Sequence, residues 1–265
     1  MTEKTEVVGA EGAAIEVAPN ALDLGNWNLP KIQSRDIYIP RIFVMQGQSP
    51  LVGLGKAIVG ELRSFPDGLL VGGIDDPLEL VPVYYNHFFR EFHLLPQEST
   101  TEKRERRFIR KIPLTDETSN LEWREELPDG ITLQRDRCMD LFCLLPSEIE
   151  KKEAVPYIIS FSRTSFPAAK NFGTIMTKLA MKNLPPPCAV LELSIERQTK
   201  EDNTYMVMCL KQKREGTPEE INEAFKWVQP ISQGTVKITE DPEELDTQES
   251  GASVGDVLKD DDINF

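Results

Sequence analysis

Between Val155 and Lys213 the spacing of apolar residues changes period twice, and few folds accommodate that order. Val155 to Ser162 is a strand-like apolar run. From Ser165, with Pro167 in the first turn, Phe172, Ile175, Met176 and Leu179 recur at helical spacing to about Lys182, and Pro185, Pro186 and Pro187 stop that helix. Leu191, Leu193 and Ile195 then alternate with Glu192, Ser194 and Glu196. The polar residues Lys200 to Asn203 join this strand to a second one, Tyr205 to Lys213, as a hairpin. Thr217-Pro218-Glu219-Glu220 has the form of a capping box with proline at the first helical position, opening a second helix that carries Ile221, Phe225 and Val228 inward. The order is strand, helix, hairpin, helix.

Upstream, the chain reads as short strands. Arg35 to Met45 forms an edge strand or irregular opening around Pro40, because proline cannot donate to a ladder. Leu69 to Val71, Leu78 to Tyr85 and Phe88 to Leu95 follow as separate strands. Phe65-Pro66-Asp67-Gly68 and Leu127-Pro128-Asp129-Gly130 are turn signals. Arg107 to Ile112, Ile131 to Gln134 and Cys138 to Leu145 continue the pattern, the last apolar enough to be covered on both faces. The fold class is therefore mainly β with two short helices. A Greek-key barrel of the OB type places a helix after its third strand and a closing hairpin after the helix. Val155 to Lys213 fits that half. The expectation is an elaborated OB-fold-like barrel over residues 31–239, with extra strands between Leu78 and Leu145.

Charge divides the chain. Residues 240–265 hold ten acids and one base, so most of the net −14 is local to the C-terminus. That segment has little to bury and is expected to be a disordered acidic tail; residues 1–30 are expected to be a flexible arm. No run approaches the ~18 apolar residues of a membrane span, and the acidic start lacks a signal peptide's basic region, so a soluble cytoplasmic protein with no membrane partner is expected. Cys138, Cys143, Cys188 and Cys209 each lie in apolar runs without paired spacing and read as reduced thiols. With only His87 and His93 available, no metal site is expected. Gly53-Leu54-Gly55-Lys56 lacks the first glycine of a phosphate loop and has Ala57 where a magnesium-holding hydroxyl belongs; no nucleophile elbow is present, and Asp75-Asp76 reads as a turn before Pro77. The chain is expected to be non-catalytic, with no cofactor.

The last residues, Asp260, Asp261, Asp262, Ile263, Asn264 and Phe265, put an aromatic ring and a carboxylate at the end of an acidic leash. The ring can enter an apolar pocket while the carboxylates pair with a basic rim. This tip resembles the C-terminus of bacterial and bacteriophage single-stranded DNA-binding proteins, where aspartates end in Ile-Pro-Phe or in Phe; Asn264 stands at the usual proline. The Ile39-Pro40-Arg41 opening and the run Ser160-Phe161-Ser162-Arg163-Thr164 are similar to phage-encoded members. The resemblance implies single-stranded DNA binding in replication and recombination in the cytoplasm of an infected bacterium. It also implies a tip that recruits replication, repair or recombination proteins, with host RNA polymerase as a further partner.

A groove for single strands needs cations for phosphates and aromatic faces for bases. Lys103, Arg104, Arg106, Arg107, Arg110 and Lys111 place six cations against one acid within nine residues, with Phe108 among them. Arg163, Lys170 and Lys178 with Lys211, Lys213 and Arg214 form a second candidate surface. Just upstream of the basic run, Tyr84, Tyr85, Phe88, Phe89 and Phe92 cluster with Arg90 and His93; Tyr85, Phe88, Phe89 and Arg90 are the candidates for base contact. Trp123 and Trp227 are assigned to packing. The functional expectation is sequence-tolerant single-stranded DNA binding, with a tail that covers the basic track until DNA displaces it. The alternatives are an acidic-tailed transcription coactivator or adaptor working mainly through host RNA polymerase, and an annealing protein that assembles on single strands.

Overall fold

The computed structural model describes residues 6–8, 14–16, 38–94, 106–128, 131–200 and 203–238. The chain divides into two compact units, Met1–Gln33 and Ser34–Phe265. In the first, β1 (Glu6–Val8) pairs antiparallel with β2 (Ala14–Glu16). The rest of the expected N-terminal arm, and the acidic tail, residues 240–265, lie outside the described residues.

The second unit opens with β3 (Tyr38–Ile39) and β4 (Arg41–Val44), interrupted at Pro40 as the missing amide donor requires. A single turn, α1 (Pro50–Gly53), precedes β5 (Leu62–Phe65) and β6 (Leu70–Gly72). Then come β7 (Leu78–Leu94), β8 (Arg106–Pro113), β9 (Arg124–Glu126) and β10 (Thr132–Leu144). The short α2 (Pro146–Lys151) and β11 (Tyr157–Ser162) lead into α3 (Phe166–Met181). The hairpin β12 (Ala189–Lys200) and β13 (Asn203–Glu215), then α4 (Pro218–Ser232) and β14 (Lys237–Ile238), complete it.

The protein is mainly β. Its principal sheet runs β13-β12-β7-β10-β11-β4-β5-β6, with β8 added to β7 and β9 to β10. β11 and β4 are parallel, so the sheet is mixed, and it curls into a half-barrel. The order helix then hairpin stands where the sequence puts it, as α3 and β12-β13. Among the described pairings, β13 and β6 end the order without pairing to each other. Gln46 bridges that side: its amide donates to the Met206 carbonyl at 2.8 Å and its carbonyl accepts from the Met206 N–H at 2.9 Å. One side chain there does the work of a strand's backbone.

Helices cover both faces of the sheet. Phe172, Ile175, Met176 and Leu179 of α3 bury against Met139, Leu141, Ile159, Phe161 and Leu193. Ala224 and Ile231 of α4 bury against Val81, Val83, Phe142, Ile158 and Val190. The expected capping box is present, with Glu220 N donating to Thr217 Oγ1 and Thr217 N to a Glu220 carboxylate oxygen at 2.8 Å. The face of α4 differs from expectation: Phe225 is half exposed while Glu220 and Ala224 are buried. Arg214 holds the Glu220 carboxylate through both guanidinium amines, at 2.8 and 2.6 Å, which sets the rotation of the helix and turns Phe225 outward.

A second difference is in β7. Two strands separated at Asn86 were expected, and one 17-residue strand is present. Asn86 and His87 lie opposite Asp140 and Met139, so the long register with β10 carries the polar pair through. The irregularity falls earlier, where Phe142 opposes Tyr84 and Cys143 opposes Pro82. Val83 is the extra residue of a bulge, and the bulge accommodates a proline inside the strand.

Candidate nucleic-acid interface

β7 and β10 are longer than the strands around them. β12 pairs only with Leu78–Leu80 of β7, and β11 only with Cys138–Cys143 of β10. From Phe88 to Leu94 the neighbour of β7 is β8, and from Thr132 to Gln134 the neighbour of β10 is β9. The two long strands thus carry a four-stranded arm, β8-β7-β10-β9, that grows out of the half-barrel. Alternation sorts its side chains onto two faces.

One face gathers Phe88, Arg90 and Phe92 of β7, Arg106, Phe108 and Lys111 of β8, and Gln134 and Asp136 of β10. Phe88 and Phe92 are buried and form its floor. The Arg106 guanidinium lies 4.2 Å from the Phe92 ring centroid, Lys111 Nζ lies 5.3 Å from that of Phe88, and Phe108 meets Phe92 edge-on. Asp136 is the node of the charges. Its Oδ2 accepts from Arg106 at 2.8 Å and from Arg163 Nε at 2.7 Å, while Gln134 donates to Oδ1 at 2.7 Å. Arg163 takes part from the end of β11, with φ +48, a left-handed conformation uncommon for a branched-chain-free but bulky residue. Arg106 and Arg163 therefore meet on the Asp136 carboxylate, Arg90 stands opposite it in register, and Arg106 and Lys111 lie over the Phe92 and Phe88 rings.

The opposite face is a structural staple. Glu91 is buried and accepts from Arg135 Nε at 2.7 Å and Arg110 Nε at 2.9 Å; Arg135 also donates to Glu125 at 2.7 Å and to the Glu122 carbonyl at 3.0 Å. Burial alone would raise the Glu91 carboxyl, but the hydrogen bonds and charges of Arg135 and Arg110 outweigh it and hold the group below its ordinary value.

The candidates from the sequence separate accordingly. Arg106, Lys111 and Arg163 come together with Arg90, whereas Arg107 and Arg110 stand on the staple face. Lys103, Arg104 and the tip, Asp260 to Phe265, lie outside the described residues. Phe88, Phe89 and Arg90 are buried, so in this conformation the rings pack under the cations and do not present a stacking face. Tyr85 is partly exposed and sits edge-on against Phe172 at 5.0 Å. The second surface divides. Arg163 joins the arm and Lys170 is exposed on α3, while Lys211, Lys213 and Arg214 interleave with Glu79, Glu192 and Glu220 at 2.6–3.3 Å. Three cations matched by three carboxylates make a ladder of ion pairs, not a basic track.

One participant escaped the sequence, and one assignment is overturned. Asp136 organises the cations from a position that alternation alone leaves unremarkable. Trp123, assigned to packing, is 67% exposed at the entrance to β9. Its setting between Glu122 and the charged run Arg124, Glu125 and Glu126 is the signal that could have placed it at the surface. Among the described residues, no group of three or more His, Cys, Asp and Glu is arranged to hold a metal ion, and no helix is long and apolar enough to cross a membrane.

A family model described as Pam3 phage gp34-like protein matches residues 13–237. No curated protein and no solved structure matches.

Proposed function

We propose that this chain, which belongs to the Pam3 phage gp34-like family, is a non-catalytic, sequence-tolerant single-stranded DNA-binding protein of phage DNA replication and recombination. The observation that carries this reading is the arm face, where Arg90, Arg106 and Lys111 lie against Phe88 and Phe92 and Arg163 joins Arg106 on Asp136, in a protein of net charge −14. A basic strand packed over an apolar floor suits a flexible polyanion: its phosphates meet cations held in place by the buried rings beneath them, with no readout of sequence. The acidic tail supplies the counterpart. It competes with DNA for the same cations and, once displaced, presents Ile263 and Phe265 to replication, repair or recombination proteins.

The test is fluorescence anisotropy with single-stranded and duplex oligonucleotides across a salt series. Single strands should bind more tightly, and replacing Arg106, Lys111 and Arg163 by alanine should flatten the log–log salt slope by about 2, at ~0.7 per phosphate contact for single strands. Removing everything after Thr239 should tighten binding at low salt, while removing Ile263 to Phe265 should abolish partner capture and leave DNA affinity unchanged. An unaltered salt slope in the triple variant removes the arm face from the site.

A further inference from the structure

The arm ends in two sheet edges of opposite charge. Among the described residues β8 pairs with β7 alone and β9 with β10 alone, so these two strands are its borders. β8 carries Arg106, Arg107, Arg110 and Lys111 and no acid; residues 122–126 carry Glu122, Glu125 and Glu126 against Arg124. Each border also holds an exposed apolar side chain, Ile109 at 38% in β8 and Trp123 at 67% beside β9. Ile109 is the extra residue of a bulge opposite Glu91 and Phe92, and is left without a cross-strand partner in β7.

Strand directions alternate without exception across β8, β7, β10 and β9. A second copy displaced across the sheet therefore brings its β8 antiparallel to the first copy's β9, in the same alternation. We infer that β9 of one molecule adds to β8 of the next, so that copies of this chain assemble head to tail through their arms. Charge selects the pairing. Arg106 and Arg110 are engaged by Asp136 and Glu91, and Glu125 by Arg135, so Arg107 with Lys111 carries the penalty of β8 against β8 and Glu122 with Glu126 that of β9 against β9, which leaves the mixed contact. Trp123 and Ile109 are brought to the same border, where each can cover the other. The contact is heterologous and does not close on itself, so it propagates.

β9 is three residues long, so the shared ladder is short and the contact belongs with weak encounters, which bury less than ~1,200 Å². Association is accordingly weak in dilute protein and grows with concentration. On the reading of the arm as a DNA-binding surface, a bound strand would hold neighbours together and raise their effective concentration. The assembly itself is tested without DNA, so its failure and the failure of that reading are distinguishable.

The experiment is sedimentation velocity of the full chain over a wide concentration range. The weight-average sedimentation coefficient should climb without levelling at a dimer. R107E with K111E, and separately E122K with E126K, should each remain monomeric, and mixing these two folded variants should restore the climb, because every contact in the mixture again joins opposite charges. Trp123→Ser, at a position with no core packing to lose, should shift the curve to higher concentration. A wild-type chain that stays monomeric throughout, or levels at a dimer, overturns the inference. So do edge variants that associate as well as wild type, or a mixture that remains monomeric.

Discussion

Glu91 is the residue through which the arm is most easily unfastened. It is buried at the junction of β7, β8 and β10, and two arginines from the flanking strands close on its two oxygens at 2.7 and 2.9 Å. Glu91→Gln keeps the shape and removes the charge. Taking one partner from a fully buried pair costs about 3–5 kcal/mol. Here Arg135 keeps Glu125 at 2.7 Å and the Glu122 carbonyl at 3.0 Å, which puts the loss on that side at the low end. The Arg110 side chain is 64% exposed, so its share is that of a surface pair, about 0–1 kcal/mol. The expected destabilisation is about 2–3 kcal/mol at neutral pH, read by urea denaturation. Hydrogen exchange should locate it, with amides of β8 and the outer part of β10 losing protection before those of β11 and β12.

The same carboxyl sets a pH signature. Its folded-state value is held below the ordinary 4.5, so its contribution is complete above that value and disappears as pH falls through the lower, folded-state value. The gap between wild type and Glu91→Gln should therefore be constant from neutral pH to about 5 and narrow in stronger acid. A gap under about 0.5 kcal/mol at neutral pH, within the ordinary range for surface substitutions, would refute the assignment of Glu91 as the staple of the arm.

Two further outcomes are expected. Gln46→Ala removes both hydrogen bonds to Met206 and should cost about 2 kcal/mol, near 1 for each partly buried bond; Gln46→Glu should not recover it, since a carboxylate cannot donate to the Met206 carbonyl, and a thermal melt indistinguishable from wild type would show that the bridge contributes nothing. In the native protein at pH 8, Cys138, whose thiol burial pushes up to about 12, and the fully buried Cys143 should resist a disulfide reagent, while the half-buried Cys188 and Cys209 react first. Four fast thiols in the folded state would contradict the burial.

What local patterning could decide, it decided. The periods of α3 and of the β12-β13 hairpin, the capping box at Thr217 and the break at Pro40 all depend on residues within a turn or a strand of each other. They are legible in the sequence for that reason. So is the concentration of cations between Lys103 and Lys111, because charge is additive along a chain. Partnership across distance is not. Whether Asn86 and His87 end a strand depends on Asp140 and Met139, more than fifty positions away, which pair with them and carry β7 onward. The rotation of α4 is fixed by Arg214 reaching Glu220, and that contact turns outward a phenylalanine that helical spacing sends inward. Composition likewise makes Lys211, Lys213 and Arg214 a basic patch, and only the approach of β7 and β12 supplies the glutamates that neutralise it. The physical reason is common to these cases. Backbone conformation is set mainly by neighbours in sequence, whereas the burial of a side chain and the fate of its charge are set by whatever the fold brings within a few ångströms.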